Sequence, residues 1–286
     1  MTKTKDAMQA VANEIIDLMR AHGTDWAKPW TSKGVAYNLV SGKPYRGMNS
    51  FYLGALTCAR GYNHNAWATF KQWSDKGAKV RKGEKASDIF FFSMVEKDNK
   101  ETGEKERFGM WRYFKVFNVA QVEGYEMPKQ EKQSDIVPVE FAEQFVKNTG
   151  AQIRENDGRA FYHPALDYIG MPARDTFKSV TGYYSTLLHE LTHWTGHETR
   201  CKRDLENSFG SEKYAREELV AECGAALLCM SLGVEKQPTP EHAKYLNSWM
   251  QAIKDDYKAI YSAMSQAQKA VDYLEGLQAE QAIAAE

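Results

Sequence analysis

The run HELTHWTGH, residues 189–197, gathers three of the 7 histidines of the 286-residue chain into nine positions. On an α-helix, residues four apart stand one turn above each other on the same face. His189 and His193 would then present two imidazoles side by side, with Glu190 next to them. That is the H-E-x-x-H arrangement, in which the histidines hold zinc and the glutamate acts as general base on the bound water. Neutral imidazole is a good zinc ligand, and zinc brings the pKa of its water to roughly 7. A carboxylate close to that water, but off the metal, can take its proton. Zinc is the implied cofactor, as one divalent ion.

The flanks must supply a helix that presents this face. Tyr184, Leu187, Leu188, Leu191 and Trp194 recur at spacings of 3, 1, 3 and 3, one apolar helical stripe. Ser179 or Thr181 suits the N-cap and Gly196 the C-terminal stop. The two histidines lie off the stripe's centre, towards a polar face.

A hydrolytic zinc usually has three protein ligands and one open position. The extended pattern H-E-x-x-H-x-x-G-x-x-H of metzincins finds its glycine at Gly196, but Thr199 stands where its last histidine should be, and His197 comes two residues early. The second source is YAREELVAECGAALL, residues 214–228. Its apolar residues suit a buried helix, yet Glu217, Glu218 and Glu222 interrupt them, and buried carboxylates are normally paired or on a metal. Glu218 and Glu222 share a face. In thermolysin-like zincins a second helix supplies a glutamate ligand, with an acid one turn later that orients a zinc histidine. On that pattern Glu218 is the third ligand and Glu222 the partner of His189; the exchanged assignment satisfies the same spacing. Glu217 reads as a solvated surface charge, and His197 as either a substrate contact or a ligand for the helix's last carbonyls.

The rest of the chain suggests an α+β protein of two domains. Residues 1–130 carry a formal charge of +7 and residues 131–286 one of −8, so the overall −1 hides two halves of opposite sign. Between them EMPKQEKQSDIVPVE (126–140) is polar and aperiodic. The expected division is a domain over 1–127, a linker over 128–138 and a domain over 139–286. In the second domain, Ala160–Tyr162 and Asp167–Ile169 read as short strands around a proline turn. Thr239 and Pro240 would open a long helical region whose stripe of Tyr245, Trp249, Ile253, Tyr257, Ile260 and Met264 reads as core. No apolar run approaches the roughly 20 residues that cross a bilayer. The N-terminus is an amphipathic helix without a signal-peptide core. None of the four cysteines forms a C-x-x-C pair, which fits a reducing cytoplasm.

The first domain shows no catalytic constellation. It interleaves aromatic with basic residues: Lys43, Tyr45 and Arg46 around turn glycines, Trp67, Lys71 and Trp73, then a basic turn of Lys79, Arg81, Lys82 and Lys85. Two strand-like segments follow, DIFFFSMV and GMWRYFKVFNV. Cations that track a backbone and rings on which bases stack are what single-stranded nucleic acid requires. The plain alternative is that strand aromatics are core and the turn is only solvated.

Taken in order, YNLVSGKPYRGMNSFYL, KGAKVRKGEKASDIFFF, FYHPALDYIGMP, HELTHWTGH and YAREELVAE resemble the ArdC family of antirestriction proteins, which are related to the N-terminal part of TraC-type plasmid primases. The resemblance runs from about residue 8 to residue 275. It implies a mixed α+β N-terminal domain that binds single-stranded DNA, a C-terminal zincin-like domain of gluzincin type, and protection of incoming plasmid DNA from host restriction. By position it places the metal on His189 and His193, the catalytic carboxylate on Glu190 and the third ligand in the EELVAE segment. The substrate is unknown; a restriction-enzyme subunit near the entering strand is one candidate. A DNA-shielding protein whose metal is structural is the alternative, against which the His, His, Glu set with a retained base argues, because structural zinc sites favour cysteine.

Overall fold

The computed structural model describes residues 2–23, 26, 34–98, 105–128, 137–156, 158–205, 211–237 and 242–284. The N-terminal part runs α1 (Thr2–His22), β1 (Tyr37–Asn38), α2 (Gly47–Ala59), β2 (Ala66–Thr69), α3 (Phe70–Asp75), β3 (Lys79–Val80), β4 (Ser87–Asp98), β5 (Lys105–Asn118) and β6 (Val122–Glu123). Four of its strands form a sheet in the order β1-β2-β5-β4, and β3 pairs with β6. The C-terminal part runs α4 (Val137–Asn148), β7 (Gln152–Asn156), β8 (Phe161–His163), β9 (Tyr168–Pro172), α5 (Val180–Trp194), α6 (Glu212–Leu232), α7 (His242–Asp255) and α8 (Lys258–Ala284). Its sheet has the order β7-β9-β8, with β8 antiparallel to β9 and on the edge. This is a mixed α+β architecture.

One buried apolar cluster joins the two parts. The helical spacing of Met8, Val11, Ala12, Ile15, Ile16 and Met19 buries one face of α1, and α1 packs on α7 while α2 packs on α8. Trp26 packs edge-on against Phe51 and tilts against Trp249, with centroids 5.7 and 6.3 Å away. The Tyr261 hydroxyl donates to the Met8 carbonyl at 3.1 Å. Opposite formal charges in the two halves therefore coexist with a shared core.

The stripe from Tyr245 to Met264 is buried throughout, as its periodicity predicts. It belongs to two helices, not one, because regular helix stops at Asp255 and resumes at Lys258. Thr239 and Pro240 lie outside the described residues, as does most of the expected linker. Its end does not: α4 already begins at Val137. Pro138 in the first turn is compatible with helix, since the N–H that proline lacks has no intrahelical partner there.

Candidate metal centre and nucleic-acid surface

The metal-type motif lies on α5. Ser179 caps it by accepting from the Gly182 N–H at 3.0 Å, and the stripe from Tyr184 to Trp194 faces the core. Across it lies α6, capped by Ser211, whose hydroxyl accepts from the Tyr214 N–H at 3.1 Å. The helices meet at Gly224, where a Cβ would sit 2.5 Å from Thr192 Cγ2. That close approach brings the acidic start of α6 onto the histidine face of α5.

The two imidazole rings stand edge to face with centroids 4.9 Å apart. His189 Nε2 lies 3.4 Å from one Glu218 oxygen and His193 Nε2 lies 3.5 Å from the other. Both Nε2 atoms thus face one carboxylate, and a donor atom from each of the three residues falls within a 4.8 Å span. The opposite ring atoms face other acids. His189 Nδ1 is 3.6 Å from Glu222 Oε2, and His193 Nδ1 is 3.0 Å from Glu217 Oε1. Each ring nitrogen of His193 faces a carboxylate, which can only accept, so both nitrogens carry protons here; a metal would take the place of the Nε2 proton, with the Nδ1 proton kept towards Glu217. The donor set, two imidazoles and a carboxylate in a buried pocket, suits a transition-metal dication.

Glu217 is not the solvated charge that its position beside Glu218 suggests. Adjacent residues on a helix point about 100° apart, and His193 lies between the two directions. Arg203 holds Glu217 in place, its Nε and Nη2 donating to the carboxylate at 2.9 to 3.2 Å. The same guanidinium donates to the Thr192 carbonyl at 2.6 Å and to the Thr195 hydroxyl at 2.9 Å, so it also caps the C-terminal end of α5. Gly196 makes room for this return, since a Cβ there would lie 2.9 Å from the His193 carbonyl oxygen and 3.0 Å from Arg203 Nη2. Glu222 has its own cation: Lys236 Nζ is 3.1 Å away, and both side chains are 1% exposed. Lys236 follows α6 in a stretch with no periodic signal, and Arg203 stands outside the motif, so spacing marks neither. His197 bonds the Thr199 hydroxyl at 2.8 Å.

Electrostatics follow from this packing. Burial alone pushes both imidazoles down, but the facing carboxylates outweigh it. His189 rises to about 9 through Glu218 and Glu222, and His193 to about 10 through Glu218 and Glu217. Burial likewise pushes Glu218 and Glu217 up, yet the histidines, with Arg203 beside Glu217, hold both below the usual carboxylate range. Glu190, 7% exposed, lines a cavity of about 570 Å³ with both histidines and Glu218, and Phe161, Phe177 and Leu205 supply apolar wall. Edge strand β8 borders this cavity through Phe161 and Tyr162.

The residues expected to touch nucleic acid divide. Lys43, Lys71, Lys79, Lys82 and Lys85 are exposed. Arg81 is tied to Glu84 and the Ala120 carbonyl, both at 2.6 Å, and Arg46 pairs with Asp272. Trp67 and Trp73 are fully buried, and Tyr45 is 8% exposed. Their polar atoms are engaged as well: the Trp67 indole donates to Asn65, the Trp73 indole to the Phe117 carbonyl, and the Tyr45 hydroxyl accepts from Asn38. These three rings are core, and no base can stack on them. Exposed rings lie instead at Phe70, which opens α3, and in a group on β4 and β5.

Comparison with known proteins finds the same two-part architecture. A model for the N-terminal domain of anti-restriction factor ArdC matches residues 5–119, and a zincin-like metallopeptidase model matches residues 140–266. The metal-free crystal structure of the antirestriction protein ArdC from plasmid R388 superposes with a TM-score of 0.81 at 37% identity, over 96% of this chain and 98% of that one. The chain belongs to the ArdC antirestriction family. Its fold has that family's two domains, an ArdC N-terminal domain and a zincin-like C-terminal domain. The Mn(II)-bound structure of the R388 ArdC protein gives a TM-score of 0.78 at 36% identity, covering 94% and 97% of the two chains. Protein y4eC of Sinorhizobium fredii is 35% identical over 96% of this chain and 93% of its own length. A DNA primase TraC of Escherichia coli is 36% identical over 96% of this chain, which spans only 20% of that primase. Among the described residues no helix is long and apolar enough to cross a membrane.

Proposed function

We propose that this ArdC-family chain binds single-stranded DNA through its N-terminal domain and carries a zinc-dependent peptidase site in its C-terminal domain, together protecting incoming plasmid-type DNA from restriction. The observation that carries the peptidase reading is the convergence of His189, His193 and Glu218 beside Glu190 on one cavity. In this reading His189, His193 and Glu218 are the metal ligands, and Glu222 and Glu217 orient the two rings from behind.

His189, His193 and Glu218 would hold a zinc ion, which would supply Lewis acidity towards a carbonyl oxygen and a water molecule. Glu190, on the cavity wall, would take a proton from the attacking water and deliver it to the departing amine. The apolar walls exclude bulk water around that transfer, which strengthens the electrostatics inside. Strand β8, the edge of its sheet, offers backbone groups to an extended peptide. A protein close to the entering strand, such as a restriction-enzyme subunit, fits such a site tethered to a DNA-binding domain.

The test is cleavage of an unfolded protein such as β-casein by the zinc-loaded chain, with and without single-stranded DNA. Glu190→Gln, which keeps the metal ligands, is expected to stop cleavage while zinc binding persists. Cleavage by that variant at the rate of the unmutated chain would overturn the assignment of Glu190.

A further inference from the structure

The hairpin of β4 and β5 changes character along its length. Near its root Ser87, Ile89, Phe90 and Val116 are at most 5% exposed and belong to the core. Beyond Phe90 both faces are open, and both carry rings. Phe92 is 54% exposed and Trp111 44%; Phe91 is 46% exposed and Phe114 44%. Cross-strand partners share a face. The register pairs Phe92 with Trp111, Phe91 with Arg112 and Ile89 with Phe114. One face therefore presents Phe92 and Trp111, and the other presents Phe91, Arg112 and Phe114.

These rings are seated. Phe92 and Trp111 have centroids 5.2 Å apart, and Phe91 and Phe114 5.6 Å apart. The Phe92 ring lies against Gly109, where any Cβ would run into it. Solvent-exposed strands normally turn polar residues outward, so rings on both faces of an open hairpin are unfavourable unless something covers them.

Charge points to the occupant. Asp88 pairs with Lys115 at 3.0 Å, and Glu96 pairs with Arg107 at 2.6 Å, so these two acids of the hairpin are neutralised. Arg112 lies on the ring face opposite Phe91, and its guanidinium can stack on a base or meet a phosphate. The exposed Lys82 and Lys85 stand immediately before β4 and supply further cations at the hairpin's root.

We infer that the exposed ring surface of this hairpin is a base-stacking platform for single-stranded DNA, with Phe92 and Trp111 as one stacking face and Phe91, Arg112 and Phe114 as the other. The inference rests on the reading of the N-terminal domain as DNA-binding and assigns the stacking role that Trp67 and Trp73 cannot fill. Rings and cations here divide the work. The platform contributes stacking, which salt does not screen, and the Lys79–Lys85 turn contributes phosphate contacts, which salt does.

The experiment measures binding of the full chain to a fluorescein-labelled 20-mer of deoxythymidine by anisotropy across a salt series. The variants are Phe92→Ala with Trp111→Ala, Phe91→Ala with Phe114→Ala, and Lys79→Ala with Lys82→Ala and Lys85→Ala. Each ring pair removed is expected to weaken binding roughly 5- to 150-fold for every base that loses its stack, with the salt slope unchanged. The lysine variant is expected to flatten the slope. Phe92→Tyr with Trp111→Tyr, which keeps flat rings, is expected to bind within about threefold of the unmutated chain, as stacking requires. Loss of binding by that variant as severe as by the alanine pair would overturn the platform. So would unmutated affinity in both alanine pairs. If instead the alanine pairs only dissociate a dimer seen by sedimentation, the hairpin is an interface between copies and the inference is wrong. If the unmutated chain itself fails to bind the 20-mer, the DNA-binding reading falls first.

Discussion

Glu217→Gln isolates what the buried acid behind His193 does for metal binding. The substitution keeps the side chain's shape and an acceptor for His193 Nδ1 and Arg203, but it removes the negative charge 3.0 Å from the imidazole. A charge-assisted hydrogen bond contributes about 1.5–3 kcal/mol and a neutral one about 0.5–1.5 kcal/mol. Their difference, about 1–1.5 kcal/mol, corresponds to a 5- to 15-fold loss of affinity, at the lower end of the roughly 10–100-fold observed when such supporting groups are changed. Part of this loss is hidden at neutral pH, because the same substitution lets His193 shed its competing proton more easily. The deficit should therefore widen between pH 7 and pH 9, as that competition fades. The assay is zinc titration of chelator-stripped protein in competition with a chromophoric chelator, at both pH values, with Glu218→Ala as the variant that loses a ligand outright. Zinc affinity within twofold of the unmutated chain at both pH values would refute the claim that Glu217 supports the metal through His193.

The remaining expectations address the frame around that site. His189 and His193 sit above the ordinary imidazole value of 6.5, at about 9 and about 10. Groups raised in the folded state contribute stability that is complete below pH about 6.5 and lost as pH climbs through the raised values. Urea unfolding of metal-free protein should therefore show declining stability from pH 7 to pH 10, and a flat profile there would contradict the pairing described. Lys236→Met removes the ammonium 3.1 Å from buried Glu222 while His189 stays beside it, and is expected to cost about 1–3 kcal/mol by the same unfolding measurement; a cost below about 0.5 kcal/mol would mean that Lys236 does not hold Glu222. Gly224→Ala drives a methyl into Thr192 and is expected to destabilise by about 1–3 kcal/mol and weaken zinc binding. Adding Thr192→Ala should restore both, and failure to do so would show that the helix crossing is not what Gly224 protects.

The motif helix α5 was legible because its signals are local. Two histidines four apart, an apolar stripe at helical spacing and a serine cap all lie within sixteen residues. Glu218 and Glu222 were legible because acids inside an apolar helix demand a partner. Which of them faces Nε2 and which faces Nδ1 depends on the crossing at Gly224 and Thr192, and helix periodicity carries no information about a crossing. Glu217, Arg203 and Lys236 were missed for the same reason: each meets its partner only after the chain has folded back. The tryptophans failed differently. Alternation of rings with cations reads alike whether the rings point inward or outward, and Trp67 and Trp73 point inward with their indole N–H groups satisfied by Asn65 and Phe117. The outward rings occupy β4 and β5, where two-residue alternation distinguishes two faces but cannot say that both are open.

The central claim, that a peptidase site serves protection of DNA, is tested most directly in cells. Unmodified plasmid DNA would enter a restricting recipient in the presence of this chain or its Glu190→Gln variant, with survival counted and single-stranded DNA binding by each verified. The account predicts that Glu190→Gln binds DNA normally and loses protection. Protection equal to that of the unmutated chain would contradict it and leave DNA covering as the protective act.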